Sequence, residues 1–242
     1  MARGLPDDSN IVKQGWLFAL DDMAELAARL DGVQGVDRLG HVIYMQTFES
    51  GLTGLYFWGD VPACIMRPSG DYSKSQGVSA YLATSGVPNS HVSWVRGQQY
   101  PTALGFGEEF SFSIFGATRY VNLYLDVYDG TWWYKFYLRY DHSNGAIHYY
   151  GLGPAWVPLV NVGILFSDFN VWHNLKLVVD LSTKTYVRAL VDGVVYLMTG
   201  FVPYRFGSLL TPHIHPGGSV VTTTAFVAEL YIDNFILTQN EP

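Results

Sequence analysis

Carboxylates are the residues with the most chemistry to offer here, and their spacing limits what they can do. Cleaving a glycosidic bond with retention needs two carboxyl groups about 5–5.5 Å apart on one face. The nearest approach is Glu229 and Asp233, four positions apart with Tyr231 between them, whereas Glu108 and Glu109 are adjacent and would point to opposite faces of a strand. His213 and His215 would share one side of an extended segment, as two metal ligands must, and Pro212 and Pro216 bracket them. With no third ligand at recognisable spacing, that segment reads as a rigid structural loop. His41, His91, His142, His148 and His173 have no partner pattern, and Gly-x-Ser-x-Gly, a Gly-rich phosphate loop and His-Glu-x-x-His do not occur. No catalytic residue is assigned.

A better-defined arrangement comes from a hairpin. If Asp129-Gly130 forms a two-residue type I′ turn, Tyr128 faces Thr131, Asp126 faces Trp133, Tyr124 faces Lys135, Asn122 faces Tyr137, and Tyr120 faces Arg139. The opposite face then collects Val127 with Trp132, Leu125 with Tyr134, Leu123 with Phe136 and Val121 with Leu138, which is continuously apolar and belongs in a core. The outward set Tyr120, Asn122, Tyr124, Asp126, Tyr128, Trp133, Lys135, Tyr137 and Arg139 interleaves rings with hydrogen-bonding groups of both charges. Sugars present C–H faces that pack on rings and hydroxyls that bond to such groups, so a carbohydrate-binding surface is one reading. Contact with another subunit suits the same residues, and cover by the chain's own loops is a third. Trp156, Tyr149, Tyr150 and Trp94 are candidates for the rim.

The elements that would position these residues are strands. Val42–Phe48, Val78–Thr84, Phe110–Phe115, Tyr120–Tyr128, Trp132–Tyr140, Leu175–Leu181, Tyr186–Val191 and Phe226–Leu237 are rich in β-branched and aromatic residues and are separated by turn formers. Asn144-Gly145 predicts a return from Trp132–Tyr140 towards Ile147–Tyr150, and Asp192-Gly193 predicts a hairpin to Val194–Met198. Such spacing argues for an all-β sandwich, without the helices of an α/β fold or the period of a repeat protein. One short helix is expected at Asp22–Leu30, where Asp22 and Glu25 form a capping box before Gly32. Residues 1–40 therefore form an arm, lying on its own domain or attaching to a neighbour, and residues 41–242 form the sandwich.

Composition narrows the partners. With 14 Lys and Arg against 21 Asp and Glu in 242 residues, the formal charge is −7, which disfavours nucleic acid and anionic lipid. The lone Cys64 excludes an internal disulfide and paired-cysteine metal sites. Acids and a proline stand where a signal peptide needs an apolar stretch, and no window approaches a membrane span, so the expectation is a soluble chain without an export signal and without membrane insertion.

The run Trp172-His173-Asn174-Leu175-Lys176-Leu177-Val178-Val179-Asp180, the following Tyr186–Gly193, and the closing Tyr231-Ile232-Asp233-Asn234-Phe235-Ile236-Leu237 resemble concanavalin A-like lectin and glucanase jelly rolls. Thr47-Phe48-Glu49-Ser50-Gly51 fits the same pattern, so the resemblance spans roughly residues 41–238. It implies an all-β, concanavalin A-like jelly-roll β-sandwich carrying a short N-terminal helical arm. The two glutamates and an aspartate that the cleaving glucanases alternate on one strand are missing here. Related carbohydrate-binding jelly rolls hold a structural calcium with an acid from each end, which here would be Glu49 and Asp233; an ordinary strand-end hydrogen bond is the alternative. No cofactor is required by this reading. The expected function is non-catalytic binding or assembly with other subunits, in the style of phage virion decorations or adhesins, with a glycan as a further ligand. A glucanase or lyase is the alternative.

Overall fold

The computed structural model describes residues 39–74, 77–102 and 104–242. The helix expected at Asp22–Leu30, and all of the 1–40 arm but its last two residues, lies outside the described residues. Among those described, no helix is long and apolar enough to cross a membrane.

Alternating and apolar segments rich in β-branched and aromatic residues give two antiparallel sheets packed face to face. The first runs β14 (Val194–Leu197), β13 (Thr185–Val191), β12 (His173–Asp180), β7 (Gly105–Gly116), β17 (Ala228–Gln239), β4 (Ser79–Ala83), β3 (Ile65–Ser69), and β1 (His41–Gln46) also pairs with β17. The second runs β11 (Trp156–Asn161), β10 (Ala146–Tyr150), β9 (Trp132–Asp141), β8 (Tyr120–Tyr128), β16 (His213–Val221), β5 (His91–Val95), β2 (Tyr56–Gly59), with β15 (Tyr204–Gly207) on β9 and β6 (Gln98–Gln99) on β16. Strand alternation fills the space between them. Val121, Leu123, Leu125 and Val127 of β8 and Tyr134, Phe136 and Leu138 of β9 are buried there, facing Phe106, Phe110, Phe112 and Leu237 of the first sheet in one continuous core.

The β8–β9 hairpin keeps the predicted faces but not the predicted register. Tyr128 pairs with Trp133, Asp126 with Lys135, Tyr124 with Tyr137, Asn122 with Arg139, and Tyr120 with Asp141. The bend sits at Gly130-Thr131, one position later than expected. The Asp129 carboxylate accepts the amides of Thr131 and Trp132, and only Gly130 of the two central residues has a positive φ, 94°, as a type II′ turn places it. Moving the bend by one residue moves every cross-strand partner by two, so parity, and with it the division into inner and outer faces, survives. Trp132, assigned to the core face, is instead 37% exposed at the hairpin tip.

The other two turns agree with the sequence. Val191 pairs with Val194 across Asp192 and Gly193, both in the left-handed region that a type I′ turn requires. Asp141 pairs with Ala146 around Asn144-Gly145. The His213–His215 segment is not a loop: it opens β16, where Gly217 and Gly218 allow close packing, since a side chain at Gly218 would collide with the Trp94 ring.

Candidate functional site

The outer face of the second sheet carries a groove of about 380 Å³. Its floor comes from Asn122, Tyr124 and Asp126 of β8, Tyr137 and Arg139 of β9, and Ser219 and Val221 of β16; Ser93 and His91 of β5, Trp58 of β2 and Trp156 of β11 complete the lining. Alternation places Asn122, Tyr124, Asp126, Tyr137 and Arg139 outward because their sequence neighbours are core residues. Tyr137 is positioned by a further device. Here β9 passes from pairing with β10 to pairing with β15, and the Tyr137 amide is satisfied by the Tyr186 hydroxyl, which reaches across the sandwich from β13 at 2.9 Å. The same hydroxyl donates within reach of the Tyr150 carbonyl, 3.1 Å away, fixing the strand that carries Tyr150.

Two hydrogen-bond systems occupy the floor. Asp126 accepts from Trp133 Nε1 at 2.7 Å and from the Tyr137 hydroxyl at 2.6 Å. Burial pushes its carboxyl above the usual carboxylate range, while the Tyr137 and Trp133 donors and the charges of Lys135 and His213 pull the other way. In the second system Arg139 Nε donates to Asn122 Oδ1 at 2.8 Å, and Asn122 Nδ2 donates to Ser219 Oγ at 2.8 Å. The Arg139 guanidinium lies 4.1 Å from the Tyr120 ring centre and 3.9 Å from that of Trp156.

Of the nine residues predicted for the surface, Asn122, Tyr124, Asp126, Tyr137 and Arg139 line the groove. Tyr120, Tyr128, Trp133 and Lys135 share its face but lie outside the lining. Tyr128 is nearly buried, stacked on His213 at 4.2 Å and against Trp133 at 4.8 Å, and Lys135 covers the Trp133 ring at 4.6 Å. Tyr124 also lies deeper than expected, 8% exposed with its hydroxyl donating to the Trp94 carbonyl. Trp156 and Tyr150 do stand at the rim, packed on Tyr137. Trp94, offered for the rim, is a fully buried core residue, and Tyr149 packs against the core on Phe201. The sequence reading missed Trp58, His91, Ser93, Ser219 and Val221. Only Trp58 carried a signal, as the end of the aromatic run Tyr56-Phe57-Trp58.

The other chemistry-bearing residues lie elsewhere. Glu229 accepts from the Tyr81 hydroxyl on the first sheet. Glu49 Oε1 accepts the Val78 amide at 3.0 Å, and Asp233 Oδ2 accepts the Lys74 amide at 3.0 Å, so these two acids hold the backbone at Val78 and at Lys74. His213 and His215 are 4.5 Å apart, ring to ring. Among the described residues no three His, Cys, Asp or Glu side chains converge as a metal site needs.

No model of a known protein family and no curated protein matches this sequence. Solved structures do. An endo-β-1,4-glucuronan lyase from the fungus Trichoderma reesei superposes with a TM-score of 0.58 at 11% identity, over 82% of this chain and 96% of that one. The shared fold is an antiparallel β-sandwich of the jelly-roll kind. A cellulose-induced protein, Cip1, matches with a TM-score of 0.53 at 13% identity over 81% of this chain and 96% of its own. A sialidase matches with a TM-score of 0.50 at 11% identity over 82% of this chain, which spans only 18% of that enzyme. At these identities the likeness is one of jelly-roll architecture.

Proposed function

We propose that the groove on the second sheet binds a glycan and that the protein is a non-catalytic binding and assembly module. The observation that carries the reading is the placement of Trp58, Tyr137 and Trp156 around one groove beside Asn122, Asp126 and Arg139. Rings supply faces for sugar C–H groups, and the polar side chains supply donors and acceptors already held in place by hydrogen bonds. Titration of the full chain against a panel of oligosaccharides tests it. Trp58→Ala and Trp156→Ala should each weaken binding about tenfold, since one ring contact contributes roughly 0.5–1.5 kcal/mol beyond its buried area. Trp132→Ala, outside the groove, should leave affinity unchanged. Equal binding by all four proteins would remove the site.

A polysaccharide-acting enzyme, glucanase or lyase, is favoured by one observation: the Asp126 carboxyl lies in the groove, 2.6 Å from the Tyr137 hydroxyl. Asp126 is the only carboxylate among the described lining residues, so the two-carboxylate chemistry of a glucanase lacks its partner there. Release of reducing ends or of unsaturated sugar products, abolished by Asp126→Asn, would establish the enzyme instead.

The assembly part of the proposal extends to a virion-type decoration or adhesin built from several copies. It is supported by the first sheet's edge strand β14, where Val194, Val195 and Leu197 are 54%, 51% and 74% exposed. Light scattering on the full chain and on a chain lacking residues 1–40 measures the oligomer and the part the arm plays in it. A structural calcium at Glu49 and Asp233 would bind carboxylates that also accept the Val78 and Lys74 amides; a thermal midpoint that rises with calcium and falls with chelator would establish it.

A further inference from the structure

The groove contains a cation, Arg139, that is in no ion pair among the described residues. Arg139 makes one hydrogen bond, from Nε to Asn122, and no carboxylate lies within ion-pair distance of it among the described residues. The nearest acid to influence it, Asp141, is already paired with Arg119 at 3.1 Å. Burial lowers the Arg139 pKa to about 10, a measure of how poorly the surroundings compensate a charge that is still fully present at neutral pH. Tyr120 and Trp156 pack on the planar group, and Asn122, itself anchored by Ser219, holds its Nε edge. The guanidinium is thereby oriented, with both terminal nitrogens left to the groove. An arginine so placed is a fork that matches the two oxygens of a carboxylate.

The setting strengthens the point. The chain as a whole carries a formal charge of −7, yet the one acid among the described lining residues, Asp126, has its carboxyl engaged by Trp133 and Tyr137. His91, also of the lining, lies 3.4 Å from the Asp60 carboxylate. Among the described lining residues Arg139 is the side chain with a fixed positive charge, and an anionic ligand in the groove would meet it directly.

We infer that the groove selects a carboxylated glycan, with the Arg139 terminal nitrogens paired to the carboxylate of an acidic sugar while Trp156 and Trp58 contact its neighbours. The inference rests on the glycan reading of the groove given above. It makes Arg139 the residue that sets ligand class and the rings the residues that set general affinity.

The test uses calorimetric titration of the full chain with galacturonate and glucuronate oligomers of four to six units, with the same oligomers after reduction of their carboxyls to alcohols, and with sulfated neutral oligomers of equal length. An acidic series should bind at least about tenfold more tightly than its reduced form, the expectation for a charge-assisted bidentate contact. That preference should weaken as salt is raised, disappear in Arg139→Gln and survive only in part in Arg139→Lys, which keeps the charge and loses the fork. Equal affinity for acidic and reduced oligomers, both weakened by Trp58→Ala, would overturn the acidic-sugar inference and leave the glycan groove standing. Sulfated oligomers bound as tightly as carboxylated ones would overturn the carboxylate assignment. Absence of any binding sensitive to Trp58→Ala would overturn both readings. Should Arg139→Gln fail to fold, the acidic-against-reduced comparison and its salt dependence on the unaltered protein decide the matter.

Discussion

Glu108 projects from β7 between the sheets, fully buried, and neither carboxylate oxygen is hydrogen-bonded among the described residues. Burial pushes its carboxyl well above the ordinary range; the Gly217 backbone opposes this in part, and the charge of Asp126 adds to it. The folded protein therefore keeps a proton that the unfolded chain releases. Stability from this group is complete below the unfolded carboxyl's pKa and is lost, at about 1.4 kcal/mol per pH unit, as pH climbs towards the raised folded value. Glu108→Gln should flatten that decline and be the more stable protein at pH 7, as denaturant midpoints measured between pH 4 and 8 would show. A wild-type profile no steeper than that of the variant would contradict it. Sequence alternation indicated that Asp126, Tyr137 and Arg139 look outward, because their neighbours are too apolar to do so. Depth was not legible: Tyr124 and Tyr128 are covered by Trp94, His213 and Trp133, which come from other strands or from the slipped partner.

Hairpins were read well wherever turn chemistry was local. Asp192-Gly193 obeyed its dipeptide signal, and Gly193 has a φ of 79° with open space where a Cβ would stand. Gly193→Ala should therefore cost only backbone strain, about 1–2 kcal/mol, visible as a lower denaturant midpoint with no change in glycan affinity. Gly218→Ala is a different case. Its φ is ordinary, but the added methyl meets the buried Trp94 ring and the Asn122 carbonyl, so the floor of the groove should shift and both stability and binding should fall. Asp129-Gly130 failed as a turn signal because the Asp129 side chain accepts the amides of Thr131 and Trp132 and draws the bend one residue onward. Strand order was beyond reach for the same reason that Trp58 and Ser219 were missed: β2, β5 and β16 meet β8 through pairings separated by long stretches of sequence, and no local pattern encodes them.

The molecule closes on its first sheet. Glu241 folds back over the outer face of that sheet, where Gly105 and Gly107 leave room for it, and its carboxylate meets Lys176 Nζ at 2.7 Å and Arg188 Nη2 at 2.6 Å, all three buried. Glu241→Gln should destabilise the whole domain by roughly 3 kcal/mol, because it removes one buried carboxylate shared by two buried cations, of which Lys176 keeps Glu109 at 4.0 Å. A thermal melt of the variant, which should remain a single transition at lower temperature, checks this. The jelly-roll class was legible from strand density and the closing Tyr231–Leu237 motif, whereas this buried ionic cluster was not, since its members are scattered from 109 to 241. The last of the strands, β17, lies in the middle of the first sheet, bonded to β7 along one side and to β4 and β1 along the other. During synthesis those three strands emerge from the ribosome long before the one that joins them. A nascent chain halted before residue 228 would expose unpaired strand edges to chaperones and to other unfinished copies, so yield in the cell should depend on how quickly translation reaches β17.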